Sequence, residues 1–85
     1  MQRLKGDLAE IFGVERGVLV LDVVKGSLAE RAGLRGGDVI LEAGGEKMYT
    51  PADLRAAIAQ AQDSRLSLQV VRKKKQQTLT LQWDR

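Results

Sequence analysis

The stretch AGLRGGDVI, residues 32–40, decides the fold of this chain, because its glycines stand between a short helical pattern and an apolar run. Gly33 is expected to end a helix of barely two turns, since glycine readily adopts the left-handed conformation at a helix end. Residues 38–43 are apolar enough to form a strand. Gly44 and Gly45 then predict a tight turn with positive φ. A helix, a strand and a turn are therefore expected in quick succession.

The length and composition of the chain allow one domain and exclude several chemistries. Its 85 residues are 44 % hydrophobic and 29 % charged, which is typical of a globular domain. Cysteine and histidine are both absent, so disulfides, thiolate zinc sites, cysteine nucleophiles and histidine acid-base catalysis are excluded. No apolar run approaches the roughly 18 residues of a membrane span, and no signal-peptide core follows Met1. A start this abrupt is typical of a piece excised from a longer protein.

The N-terminal half of the chain predicts one short helix and one strand. Residues 7–12 carry apolar side chains at helical spacing, and Gly13 is expected to end that helix. Residues 18–24 form an apolar, β-branched run that predicts a strand covered on both sides. The lone Asp22 within this run indicates a β-bulge.

A longer helix is signalled over residues 51–61. Thr50 is expected to cap it, Pro51 suits the first helical position, and Asp53 lies where the helix dipole favours a negative charge. The apolar residues of this helix are Leu54, Ala57, Ile58 and Ala61. Leu54, Ala57 and Ala61 share the face that we assign to the core, whereas Ile58 shares another face with Pro51 and Arg55.

The C-terminal tail predicts a β-hairpin. Apolar residues alternate with polar ones over 66–70 and again over 78–82, and the polar stretch 72–77 lies between them. Trp83 is expected to pack in the core or at a sheet edge. Together the elements predict an α+β fold, a small antiparallel sandwich or partly open barrel with helices at its ends, and one domain over residues 1–85.

The positive charge of the chain is a local feature. The net charge is +3, with 14 basic and 11 acidic residues, and one run, residues 72–75 (RKKK), carries the excess. Nucleic-acid modules usually combine basic residues with stacking aromatics, and the three aromatic residues are far from this run in sequence. The run is therefore interpreted as a solvated turn that discourages edge-to-edge pairing, and nucleic-acid binding is not expected.

No motif in the chain predicts catalysis or a metal site. Ser27 lies near Lys25, but Ser27 and Glu30 form a capping-box pattern that explains the serine without chemistry. The glycines between positions 26 and 37 match neither of the nucleotide-binding spacings GxGxxG and GxxxxGK[ST]. The carboxylates are scattered singly and form no calcium loop. No cofactor and no metal are expected.

Several short motifs nevertheless resemble a known family. They are GVLV at 17–20, GSLA at 26–29, AGL at 32–34, GGDVI at 36–40, GG at 44–45 and DL at 53–54. Together they are similar to the PDZ domain in its bacterial type, as in HtrA-type serine proteases, site-2 metalloproteases and C-terminal processing proteases. The resemblance runs from about residue 4 to residue 82. It implies an antiparallel sandwich or barrel with two main helices, over residues 27–32 and 51–61.

The sequence departs from the family pattern at three places. Leu28 stands where the family has proline, and Gly44-Gly45 replaces an Asn-Gly turn; both changes are mild. The third departure concerns the carboxylate-binding loop, a glycine between two apolar residues, which belongs upstream of the first helix, where this chain begins. Phe12-Gly13-Val14 has the letters of that loop but is interpreted as a helix stop. The groove strand is therefore expected to be incomplete.

The resemblance implies a peptide-binding groove between a sheet edge and the longer helix. The last piece of the groove strand and one face of the helix are expected to form it, with the peptide-binding residues Met1, Gln2, Arg3, Leu4, Pro51, Arg55 and Ile58. The expected partner is a peptide or a protein C-terminus, bound by strand addition.

The expected function is peptide recognition as a regulatory or substrate-recognition part of a larger bacterial protease or envelope protein. The domain is expected to be non-catalytic alone, with a periplasmic or envelope location by family resemblance and without direct membrane insertion. One alternative is a structural module that self-associates through its exposed N-terminal edge. The other is a protease activity, for which no nucleophile and base are visible.

Overall fold

The computed structural model describes residues 1–83, in which six strands and three helices alternate. Their bounds are β1 Gln2–Leu4, α1 Gly6–Ile11, β2 Gly17–Leu19, α2 Leu28–Ala32, β3 Val39–Ala43, β4 Glu46–Lys47, α3 Pro51–Gln60, β5 Arg65–Arg72 and β6 Lys75–Gln82.

All strands belong to one antiparallel sheet with free edges. The strand order is β1-β2-β3-β5-β6, and β4 pairs with the second half of β3. In the described part of the chain, β1 and β6 each have one neighbour, so the sheet stays open. The predicted α+β fold is thereby confirmed, with α2 and α3 as the two expected helices and α1 as a third one that is about as short as α2.

Apolar residues cover both faces of the sheet. Val18 and Val20 of the β2 segment, together with Ile40 of β3, lie in the main core with Leu54 of α3. The side chain of Leu19 lies on the other face of the sheet, in a second cluster whose other buried members are Leu4, Ala9 and Val39. The alternation of side chains along β2 thus divides the interior into an α3 side and an α1 side.

The two main helices begin at the predicted caps. Thr50 Oγ accepts a hydrogen bond from the Asp53 amide, and Asp53 Oδ2 accepts one from the Thr50 amide. The helix α3 therefore has a complete capping box, with Pro51 in its first turn. Ser27 caps α2 in the same way, but Glu30 Oε1 accepts from the Gly26 amide at 3.0 Å instead of from the cap residue. The predicted capping box at Ser27 is therefore half formed.

The predicted strand over residues 18–24 is wrong beyond Leu19. The Val20 amide donates to the Asp38 carbonyl and the Gly37 amide donates to the Val20 carbonyl, both at 2.8 Å, but residues 21–24 belong to no strand. Asp22 accepts from the neighbouring amide of Val23 and marks no bulge. The irregularity lies in β3 instead, between Ile40 and Glu42.

The hairpin is longer and its turn tighter than predicted. Arg72 pairs with Lys75 across it, so Lys73 and Lys74 alone form the turn, with φ of 50° and 66°. Trp83 is half-buried and packs against the main core, as predicted. None of the helices within residues 1–83 is long and apolar enough to cross a membrane.

A buried ion pair ties the hairpin to residues 32–40. Asp38, 1 % exposed, accepts from Arg72 Nε at 2.8 Å and Arg72 Nη2 at 2.7 Å. The Arg35 amide donates to the same carboxylate at 2.9 Å, and Arg72 also donates to the Gly33 carbonyl. Burial would raise the pKa of Asp38, but Arg72 and the Arg35 amide outweigh it and hold that pKa below its ordinary value.

Candidate functional site

The edge strand β1 is the first part of the candidate site. Within residues 1–83 it pairs with β2 alone, so the backbone groups on its other side are free to pair with an added strand. Arg3 lies opposite Val18, a member of the main core, and cross-strand partners share a face of the sheet. The Arg3 side chain therefore leaves the sheet on the α3 side.

The other two β1 residues face away from α3. Gln2 lies opposite Leu19 and is exposed, whereas Leu4 is 1 % exposed and packs in the second cluster. Among the residues predicted for the groove, Leu4 is thus placed to contribute through its backbone and not through its side chain.

Asp53 organises the N-terminus of α3. The amides of Tyr49 and Thr50 donate to Asp53 Oδ2 at 2.9 and 3.0 Å, and these bonds hold the pKa of Asp53 below its ordinary value. The charge of Arg3 acts in the same direction. The first turn of α3 is therefore fixed by hydrogen bonds within residues 49–53.

The face of α3 that the sequence assigned to the groove is divided. Arg55 is exposed and Pro51 half-buried. Ile58 is half-buried and packs against the main core together with Ala57, while Leu54 is fully buried there. A charged residue at position 58 would thus disturb the core as well as any groove.

A cleft of about 420 Å³ runs along a different stripe of α3, toward β4. The helical residues that line it are spaced at i, i+3, i+4 and i+7, and they are Asp53, Ala56, Ala57 and Gln60. Tyr49, 44 % exposed, also lines it, and the guanidinium of Arg16 lies 5.1 Å from the Tyr49 ring centroid. The sequence analysis did not identify this stripe, although its small residues at helical spacing were a visible signal.

The segment Phe12-Gly13-Val14 is a helix stop, as predicted. The amides of Phe12, Gly13 and Val14 donate to the carbonyls of Leu8, Glu10 and Ala9, respectively, at the end of α1. Backbone amides that already donate within the helix end are not available to hold a peptide carboxylate.

The remaining candidates for chemistry have structural partners. Ser27 Oγ accepts from the Glu30 amide at 3.3 Å as the cap of α2, which accounts for this residue without catalysis. Within residues 1–83, no group of three or more acidic side chains is arranged to hold a metal ion.

Comparison with known proteins places this architecture in a family. A model of the PDZ domain family matches residues 19–72. A relative in Pseudomonas savastanoi pv. phaseolicola, named "Probable periplasmic serine endoprotease DegP-like", is 40 % identical over 84 residues, which are 95 % of this chain and 18 % of the relative. A relative of the same name in Chlamydia trachomatis serovar D is 41 % identical over 78 residues, 88 % of this chain and 16 % of the relative. The chain thus spans less than a fifth of these relatives.

Solved structures share the fold. The HtrA3 PDZ domain bound to a phage-derived ligand (FGRWV) superimposes with a TM-score of 0.83 at 23 % identity, covering 95 % of this chain and 76 % of that one. The HtrA-type protease AlgWS227A with decapeptide gives a TM-score of 0.80 at 28 % identity, covering 93 % of this chain and 25 % of that one. Both are structures of proteins with a bound peptide.

Proposed function

This chain belongs to the PDZ domain family, and we propose that it binds extended peptides, including protein C-termini, by adding a strand to the free edge of β1. The carrying observation is that β1 pairs with β2 alone in the described residues, so one side of its backbone is free. An unpaired edge supplies backbone donors and acceptors without regard to peptide sequence, and the adjoining helix selects among peptide side chains. This chemistry suits a chain that lacks histidine and cysteine.

Selection among peptides falls to the side chains between β1 and α3. Arg3 and Met1 on the strand, with Pro51, Arg55 and Ile58 on the helix, remain the residues proposed to touch the peptide. Arg55 is exposed and cationic, so it favours an acidic peptide residue, whereas Ile58 offers a half-buried apolar surface.

The chain is further proposed to be a regulatory or substrate-recognition part of a larger periplasmic or envelope serine protease. The names of the relatives support this, as does the small share of each relative that the chain spans. Catalysis would then belong to the rest of such a protein, and this domain would present peptides or respond to them.

Fluorescence anisotropy with labelled FGRWV, the ligand of the HtrA3 domain, tests the proposed mode of binding. Two versions of the peptide are N-methylated at alternate amides. Strand addition uses every second peptide amide, so one version is expected to bind at least about tenfold more weakly than the other. Equal affinities of both versions would rule out strand addition. An amidated C-terminus, compared with the free acid, measures how much the terminal carboxylate contributes.

A second candidate function is self-association through the same edge. The free backbone of β1 can pair with β1 of another copy. Sedimentation velocity over a range of concentrations distinguishes the two: a dimer that peptide dissociates means that both compete for β1. A dimer that does not bind peptide would favour the structural function.

A further inference from the structure

A cavity of about 550 Å³ opens on the α1 side of the sheet, between the end of α1, residues 35–38 and the tip of the β5–β6 hairpin. We call it the basic cavity, because an apolar floor and a basic rim line it; they consist of Ile11, Phe12 and Val71 and of Arg35, Lys73 and Lys74. Phe12 and Val71 pack against the second cluster, whereas α3 packs on the main core, so this cavity is separate from the proposed groove. Its volume is within the range of ligand clefts.

The charge of the basic cavity is uncompensated. Asp38, the acidic residue in its lining, is already paired with Arg72. The other three lining cations, Arg35, Lys73 and Lys74, form no ion pair with any carboxylate among residues 1–83. Three positive charges thus surround a concave surface, and an anionic ligand would meet them without displacing an internal partner.

The turn that carries two of these cations adopts a costly conformation. Lys73 and Lys74 have φ of 50° and 66°, in the left-handed region where Asn-Gly is the favoured pair. A side chain costs energy in this region, and such strain tends to occur at functional positions. The aliphatic stem of Lys74 lies over Gly13, where an added Cβ would come within 3.5 Å of Lys74 Cγ. The strained turn therefore directs Lys74 across the cavity toward the end of α1.

The apolar floor of the basic cavity is partly exposed. Ile11 is 70 % exposed at its border, and Phe12 beside it is half-buried. Apolar surface next to unpaired cations is what recognition of an acidic, partly apolar ligand requires.

We propose that the basic cavity binds an extended polypeptide segment in which one bulky apolar side chain is flanked by carboxylates. The apolar side chain covers Ile11 and Phe12, and the carboxylates accept hydrogen bonds from Lys73, Lys74 and Arg35. A membrane surface fits less well, since polybasic lipid-binding clusters have about four to eight cations and the cavity is concave. Nucleic acid fits less well because Phe12 is half-buried and offers no open stacking surface.

The test uses the full 85-residue chain and a fluorescent peptide, Gly-Asp-Asp-Phe-Asp-Gly, acetylated and amidated so that it has no terminal carboxylate. The variant K73N/K74G gives the turn its favoured residues and removes two charges, and K75Q is the control from outside the cavity. The wild type is expected to bind this peptide saturably. Its affinity for the peptide is expected to fall at least about tenfold in K73N/K74G and to be unchanged in K75Q. Binding of FGRWV is expected to be unaffected by both, which separates this site from the β1 edge.

A second pair of variants tests the apolar floor. Ile11→Ser removes a side chain that is 70 % exposed, and Val24→Ser removes one that is 73 % exposed elsewhere. Neither is expected to unfold the domain, and weaker peptide binding is expected in Ile11→Ser alone. Equal binding by wild type and K73N/K74G would overturn the proposal. So would the absence of saturable peptide binding, including a result in which phosphatidylglycerol vesicles bind the domain and the peptide does not.

Discussion

Removing Arg72 is expected to destabilise the fold more than any other single charge change, because Arg72 neutralises a buried carboxylate. It supplies two of the three hydrogen bonds to Asp38, at 2.8 and 2.7 Å, and the Arg35 amide supplies the third. In Arg72→Met the carboxylate stays 1 % exposed with a single neutral donor.

The expected cost follows from the burial of the two partners. Breaking a fully buried pair costs about 3–5 kcal/mol. The Arg72 side chain is 19 % exposed, so water partly solvates the pair, and we expect about 2–4 kcal/mol. A domain of this length has a free energy of unfolding of about 4–13 kcal/mol. Each kcal/mol that is lost lowers its Tm by about 4–8 °C. The Tm of the variant is therefore expected to be lower by about 8–32 °C.

The stability lost in Arg72→Met is expected to depend on pH. In the wild type the pKa of Asp38 is depressed, so its stabilisation is present above the ordinary value of about 3.9 and is lost as the pH falls through the folded-state value. Without Arg72, burial raises that pKa instead, and the carboxyl protonates at a higher pH. The difference in unfolding free energy between Arg72→Met and wild type is therefore expected to be largest near pH 7 and to shrink toward pH 3.

Urea unfolding of wild type, Arg72→Met, Asp38→Asn and the double variant measures this directly. Asn keeps an acceptor for the Arg35 amide, so the double variant is expected to be more stable than the sum of the single effects predicts, by about 1–3 kcal/mol. A cost below about 1 kcal/mol for Arg72→Met, or one independent of pH, would refute the reasoning.

Three further changes test local features of the fold. K73N/K74G is expected to raise the free energy of unfolding by about 1–2 kcal/mol in urea, because both positions are left-handed; no gain would mean that the turn is unstrained. Gly17→Ala is expected to cost about 2–3 kcal/mol in the same assay, since its Cβ would lie 2.5 Å from Val39 Cγ1 in the core, and a neutral effect would contradict this packing. Thr50→Ala is expected to lower Tm through a lost cap worth about 1 kcal/mol, whereas Thr50→Ser, which keeps the hydroxyl, leaves Tm nearly unchanged.

Features encoded by a few neighbouring residues were predictable from the sequence. The cap at Thr50, the helix ends at Gly13 and Gly33, and the glycine turn after β3 depend on local backbone geometry. Alternation of apolar residues likewise identified the hairpin, since one of its faces packs on the core.

Features that depend on distant parts of the chain were not predictable. Asp38 and Arg72 are 34 residues apart, and each fitted a local explanation, one as a strand start and the other as part of a basic run. Leu21 and Val24 look like strand interior but are 55 % and 73 % exposed, because β2 ends at Leu19 and residues 21–24 belong to no strand. The cleft along α3 was equally hidden, since small residues fit a core and a cleft alike.

The basic run over residues 72–75 therefore combines different physical roles in adjacent positions. Arg72, at the end of β5, points inward and neutralises Asp38, so its charge serves the fold. Lys73 and Lys74 occupy a turn whose geometry disfavours them, and their charges remain unpaired beside an apolar floor. A turn needed only for solubility could place lysines on either flanking strand and keep Asn-Gly at its tip. The strained position of these two lysines is thus better explained by a ligand at the basic cavity than by solvation alone.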